Sequence, residues 1–99
     1  MAQLRFAQEA GRDLERLTDF LLETNVAVAI DTADLIIDAV AVLKRHPLIG
    51  RPVDDGYREL IISRGRSGYV AVYTYDEASD IVLILAIRHQ RESGYWAQI

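Results

Sequence analysis

The order of hydrophobic patterns predicts an α+β domain, β-α-α-β-β-β, with a helical hairpin packed on one face of a largely antiparallel sheet. Three observations carry this reading. Two consecutive stretches, residues 8–23 and 25–45, repeat apolar side chains at helical spacing. Three later stretches, 57–63, 68–75 and 81–87, alternate or run apolar over strand lengths, with joints short enough for hairpins. The chain has 99 residues, 51% of them apolar and 26% charged, which suits one folded core and no second module. Residues 1–99 therefore form a single domain, with 90–99 as a C-terminal tail.

Ala2 to Ala7 opens the chain as a short strand, Leu4 and Phe6 alternating with Gln3 and Arg5. The first helix runs from about Gln8 to Glu23. Ala10, Leu14, Leu17 and Leu21, joined by Phe20, form one apolar stripe, and Arg12, Asp13, Glu15, Arg16, Asp19 and Glu23 occupy the rest. No strong N-cap precedes it.

Asn25 is the expected cap of a second helix that reaches about Arg45, where His46-Pro47 ends it. Ala29, Ala33, Ile36, Ile37, Val40 and Leu43 form the core stripe. Val28, Leu35 and Val42, seven apart, form another on a different flank, and Asp31, Asp34, Asp38 and Arg45 leave only a narrow polar strip. A helix apolar over so wide an arc must be covered on two sides. Either the first helix and the sheet do this between them, or a partner protein completes the cover.

His46 to Gly56 holds both prolines and two glycines and reads as a loop. Tyr57 to Ser63 then sets Leu60 and Ile62 on one face and Ile61 on the other. Gly68 to Tyr75 alternates Tyr69, Ala71, Tyr73 and Tyr75 with Val70, Val72 and Thr74. Ile81 to Ile87 is apolar throughout, the pattern of a central strand covered on both faces.

Composition excludes several classes. Without cysteine there is no disulfide framework, thiolate metal site or thiol nucleophile, and a reducing cytoplasm fits. The N-terminus lacks the basic head and apolar run of a signal peptide, and no stretch approaches the ~20 apolar residues a bilayer requires. The two histidines, His46 and His89, lack zinc-site spacing, so neither a metal nor another cofactor is expected. No phosphate loop or nucleophile elbow is present.

Charge is distributed unevenly. The net charge is −4, but residues 1–43 carry three basic and eight acidic side chains, whereas 44–99 carry eight basic and seven acidic. Such a chain is no general nucleic-acid binder, and sequence-specific binding is not expected. Ten of its eleven cations are arginine, the fork-shaped donor suited to phosphate and carboxylate. Arg88, His89, Arg91, Glu92 and Tyr95 fall within eight residues at the exit of the last strand. Arginines to hold phosphate and a histidine or glutamate to move a proton make the minimal kit for cleaving RNA through its own 2′-hydroxyl. Polar residues also gather there simply because the strand is leaving the core.

Over residues 3–95 the chain resembles the RelE/ParE superfamily of toxins from type II toxin–antitoxin systems. The likeness rests on His46-Pro47-Leu48-Ile49-Gly50-Arg51-Pro52, Gly56-Tyr57-Arg58-Glu59-Leu60, Gly68-Tyr69-Val70-Ala71-Val72-Tyr73 and Ile87-Arg88-His89-Gln90-Arg91-Glu92, in this order and spacing. RelE-type ribosome-dependent mRNA endonucleases place basic residues along the second and third strands, where this chain has Ile61, Ser63 and Val70, and near Gln90. The ending is closer to the ParE branch, whose members inhibit DNA gyrase. That resemblance implies a cytoplasmic, non-enzymatic gyrase inhibitor with no catalytic residue. Its hetero-oligomeric partner would be a ParD-like antitoxin, with a ribbon-helix-helix part and a toxin-wrapping tail. It directs attention to Arg88, His89, Arg91, Tyr95 and Trp96 for the target. Val28, Leu35 and Val42 are the candidates for antitoxin binding, and Leu35→Asp is expected to weaken that binding in a folded domain. The alternative is an mRNA endonuclease using His89, with Arg88 and Arg91 on the phosphate.

Overall fold

A computed structural model describes residues 1–64 and 67–90, with the backbone alone for Ser63, Arg64 and Ser67. Its elements are β1 (Gln3–Phe6), α1 (Gln8–Leu22), α2 (Val26–Ala41), β2 (Arg51–Pro52), β3 (Arg58–Arg64), β4 (Ser67–Asp76) and β5 (Ile81–His89). One five-stranded sheet has the order β1-β5-β4-β3-β2. Only the β1–β5 pair is parallel, so the α+β reading with a largely antiparallel sheet holds.

The two helices form as their sequences direct. No side chain caps α1, whereas the Asn25 side chain accepts a hydrogen bond from the Val28 amide at the start of α2. Ala10 and Leu17 of α1 and Ile36 and Val40 of α2 join Leu43 above the sheet residues Ile62, Tyr69, Ala71, Tyr73, Val82, Ile84 and Ile87. α2 ends earlier than Arg45. A tight turn over Val42–Lys44 takes the chain down, and the Lys44 carbonyl accepts the Ala2 amide at 2.7 Å, tying the N-terminus to the helical layer.

Four expectations are corrected by the packing. Phe20 is 66% exposed and does not belong to the buried stripe of α1. Asp13 does belong to it, at 7%. On α2, Ile37 is 44% exposed, and Thr32 rather than Ile37 completes the buried set. Within β5, Val82, Ile84 and Ile87 are buried while Ile81, Leu83, Leu85 and Ala86 are only half covered, so this interior strand is not enclosed on both faces. A register shift explains the step from Ile84 to Ile87. Val72 stands opposite Ala86 but Tyr73 opposite Ile84, leaving Leu85 as the extra residue of a β-bulge.

The 46–56 loop contains structure that its composition hides. Arg51 and Pro52 pair with Glu59 and Arg58 as a two-residue edge strand. No helix among the described residues is long and apolar enough to cross a membrane.

Candidate functional site

β1 stops at Phe6 and pairs with β5 only as far as Ile84, with the Ala7 amide donating to the Ile84 carbonyl at 2.8 Å. Past that point the edge of β5 has no neighbouring strand among the described residues. The chain has turned into α1, and Asp13 on its buried face takes the missing place: the Ile87 amide donates to Asp13 Oδ2 at 3.0 Å. The Arg88 guanidinium forms an ion pair with the same carboxylate oxygen. A buried carboxylate is costly unless it is paired and hydrogen-bonded, and Asp13 is both. Arg16, one turn along α1, approaches its other oxygen at 3.8 Å from the solvent side.

Arg88 is therefore paired with a carboxylate of α1. His89 stands opposite Tyr69 in the β4–β5 register, and the two rings meet edge to face with centroids 5.1 Å apart. The Gln90 amide continues the ladder to the Gly68 carbonyl at 2.8 Å. Arg91, Glu92, Tyr95 and Trp96 lie outside the described residues. Of the five target-facing candidates, the described residues include Arg88 and His89, successive positions of β5 that take different partners, Asp13 and Tyr69. On the sheet face away from the helices the register sets Ile61, Val70, Val72 and Leu83 beside Arg5, Arg51, Glu59 and Arg88, with Val70 fully buried. No group of three His, Asp or Glu side chains able to hold a metal occurs among the described residues.

A second polar cluster lies at the other side of the sheet. Tyr73 is fully buried, and its hydroxyl accepts from the Gly50 amide at 2.9 Å while donating to the Pro47 carbonyl at 2.8 Å. Burial pushes this phenol above its usual range, opposed in part by the Gly50 hydrogen bond and by the nearby Arg58 charge. Arg58 Nη1 donates to the Leu48 and Gly50 carbonyls at 3.1 and 2.8 Å. Glu59, almost wholly buried, accepts from Arg51 Nη2 and Nε at 2.8 and 3.1 Å. Gly50 has to be glycine: a Cβ there would sit 2.5 Å from the Tyr73 hydroxyl and 2.9 Å from the Glu59 carbonyl.

The α2 candidates separate. Val28 and Val42 are exposed, but Leu35 packs half-buried against the core. Leu35→Asp would thus disturb packing and does not isolate partner binding. The open apolar flank is on the other side of the aspartate strip, where Val26, Ile30 and Ile37 are exposed at helical spacing. Sequence reasoning missed Asp13, Tyr73 and Glu59. A signal for Asp13 existed: it lies three residues after Ala10 and four before Leu17, inside the apolar stripe.

A family model described as the ParE toxin of the type II toxin–antitoxin system, parDE, matches residues 4–94. The chain is 35% identical over 92 residues to Toxin RelE3 of Caulobacter vibrioides, covering 93% of this chain and 98% of that protein. Among solved structures, the chromosomal ParDE toxin–antitoxin system from P. aeruginosa superposes with a TM-score of 0.74 at 23% identity, over 89% of this chain and 95% of that one. The RelBE2 toxin–antitoxin complex from Mycobacterium tuberculosis gives 0.55 at 27% identity, over 90% and 98%.

Proposed function

Because the chain belongs to the ParE toxin family of type II toxin–antitoxin systems, within the RelE/ParE superfamily, we propose that it inhibits DNA gyrase and that a ParD-like antitoxin neutralises it. The observation that carries the gyrase reading is the state of the described cations near β5. Cleavage of RNA needs cationic side chains on the phosphate. Arg88 is engaged by Asp13, and on the sheet face away from the helices Arg51 is engaged by Glu59 beside the apolar Ile61, Val72 and Leu83. A net acidic protein with that face has a small phosphate-binding term, which suits a protein target better than the ribosome. Arg88, His89, Arg91, Tyr95 and Trp96 remain the proposed target contacts, since arginine and aromatic side chains are the usual anchors of protein interfaces.

The antitoxin reading draws support from the α2 surface. Val26, Ile30 and Ile37 form an unpartnered apolar flank beside Asp31, Asp34 and Asp38, suited to an amphipathic segment with cationic edges. Val28 and Val42 extend the apolar contact on the far side of the aspartates. Toxin and antitoxin would form a hetero-oligomer.

The experiment is a supercoiling assay with purified gyrase and relaxed plasmid, with and without the neighbouring gene product. Inhibition with accumulated cleaved DNA, relieved by the neighbour, is the expected result. A second reading, ribosome-dependent mRNA cleavage using His89 with Arg88 and Arg91, is favoured by the 35% identity to a protein named RelE3. It requires that His89→Ala abolish toxicity in a folded protein and that translating messages be cut.

A further inference from the structure

Asp13 carries more than the sheet edge requires. The Ile87 amide needs an acceptor there, and a neutral side-chain amide on α1 would accept as well as a carboxylate does. A buried carboxylate is costlier to desolvate, and the ion pair that compensates it adds little net stability over a neutral replacement of both partners. Completing the sheet edge therefore leaves the charge of Asp13 without a purpose. What the charge does is hold Arg88.

It holds Arg88 by one end. Nη1 meets Asp13 Oδ2 and lies 3.4 Å from the Ile87 carbonyl. Among the described residues no partner takes Nε or Nη2. Arg51 shows in the same molecule what that edge of a guanidinium can do: its Nε and Nη2 both donate to the Glu59 carboxylate, at 3.1 and 2.8 Å. Arg88 carries the same pair of donors with no described carboxylate on them, on a side chain that is 34% exposed. A guanidinium already fixed through one nitrogen loses little side-chain entropy when a partner meets the others.

We propose that Asp13 is a positioning residue, holding Arg88 by Nη1 so that Nε and Nη2 receive a carboxylate of the protein target. This rests on the gyrase reading above and names the group that Arg88 recognises there. The pairing favours a single carboxylate over nucleic acid. Beside Asp13, Arg88 brings no net charge to a polyanion, so its attraction to phosphates is small, while its two directional donors stay intact. Asp13 itself touches no target and acts only through Arg88.

The test uses the whole toxin in the supercoiling assay with purified gyrase, with the Kd for the neighbouring gene product as the check on folding. Arg88→Lys keeps a cation beside Asp13 but has no fork, and should weaken inhibition about tenfold. Asp13→Asn keeps an acceptor for the Ile87 amide but loses the charge that holds Nη1, and should weaken inhibition about fivefold. Asp13→Asn combined with Arg88→Met removes both charges together and so preserves the fold. It should inhibit no worse than Arg88→Met alone, because Asp13 acts through Arg88, whereas a purely structural loss would add. The loss in Arg88→Met should shrink at high salt, as an exposed ion pair requires. Wild-type inhibition by Arg88→Lys overturns the proposal and leaves the gyrase reading intact. Additive losses make Asp13 structural, and a salt-independent loss makes the acceptor neutral; either overturns the assignment. Failure of the wild-type toxin to inhibit gyrase overturns both readings. If translating messages are cut instead and Arg88→Met stops the cutting, the occupant is an RNA phosphate and the assignment is wrong.

Discussion

Two polar clusters hold this fold together across long sequence separations, and they do it by different chemistry. At the β1–β5 edge, Asp13 brings an ionised carboxylate into the interior and satisfies it with the Ile87 amide and the Arg88 guanidinium. Under the 47–50 loop, Tyr73 brings a neutral hydroxyl that both accepts and donates, with the charged Arg58 on its flank. The first cluster completes a sheet whose edge strand is too short. The second fixes a loop that presents apolar side chains. A charge is more demanding to bury than a phenol, so removing a partner should cost more at Asp13 than at Tyr73.

Asp13→Ala tests the larger effect. It leaves the Ile87 amide without an acceptor and Arg88 without its counter-ion, and should lower unfolding stability by about 3 kcal/mol. Arg88 is 34% exposed and can recover some hydration, which limits the loss. Denaturant titration at neutral pH measures it. A loss under about 1 kcal/mol would mean that water replaces the carboxylate at the sheet edge, and the two clusters would then be equivalent.

Tyr73→Phe comes next, at about 2 kcal/mol, because the ring is kept while the Gly50 amide and Pro47 carbonyl lose their partner. The same substitution sharpens the contrast through pH. Burial raises the Tyr73 pKa above the ordinary tyrosine value of 10.0. Below pH 10 the phenol is protonated in both folded and unfolded chains, and its contribution is complete. Above that, the unfolded chain releases the proton first, so stability falls as pH rises toward the folded-state value. The wild type should therefore lose stability more steeply than Tyr73→Phe as pH rises above about 10, measured as the difference between their unfolding midpoints.

The elements themselves were legible in the sequence because period and punctuation agree: α1 ends at Leu22 against an expected Glu23, and Asn25 caps α2 as its side chain predicts. What was not legible depends on distant partners. The apolar arc of α2 is wide enough to offer two flanks, and only the packing of Leu35 and Ala39 against the core decides that Ile37 faces outward. The two-residue β2 is too short for any periodicity, and its pairing comes from Arg51 meeting Glu59 across strands. Arg88 was visible as a candidate, yet its partner lies 75 positions earlier on a helix. The bulge at Leu85 leaves no mark in a run where every residue is apolar.

The smallest effect expected is that of Arg16→Ala, and it bears on which cation balances Asp13. Arg16 is a helical neighbour at i+3, half exposed, and 3.8 Å from the carboxylate. An exposed pair of that kind contributes ~0.5 kcal/mol or less, since screening and side-chain entropy absorb most of the attraction. Arg88 approaches closer and from the less exposed side. If the Asp13 charge is balanced across the fold, Arg88→Ala should cost well over 1 kcal/mol and Arg16→Ala almost nothing. Combining Asp13→Ala with each should show strong coupling for Arg88 and near-additivity for Arg16. Equal coupling would place the counter-charge within α1 itself. Arg88 would then be available to a target, and the strongest structural argument against a phosphate-binding role at the end of β5 would be gone.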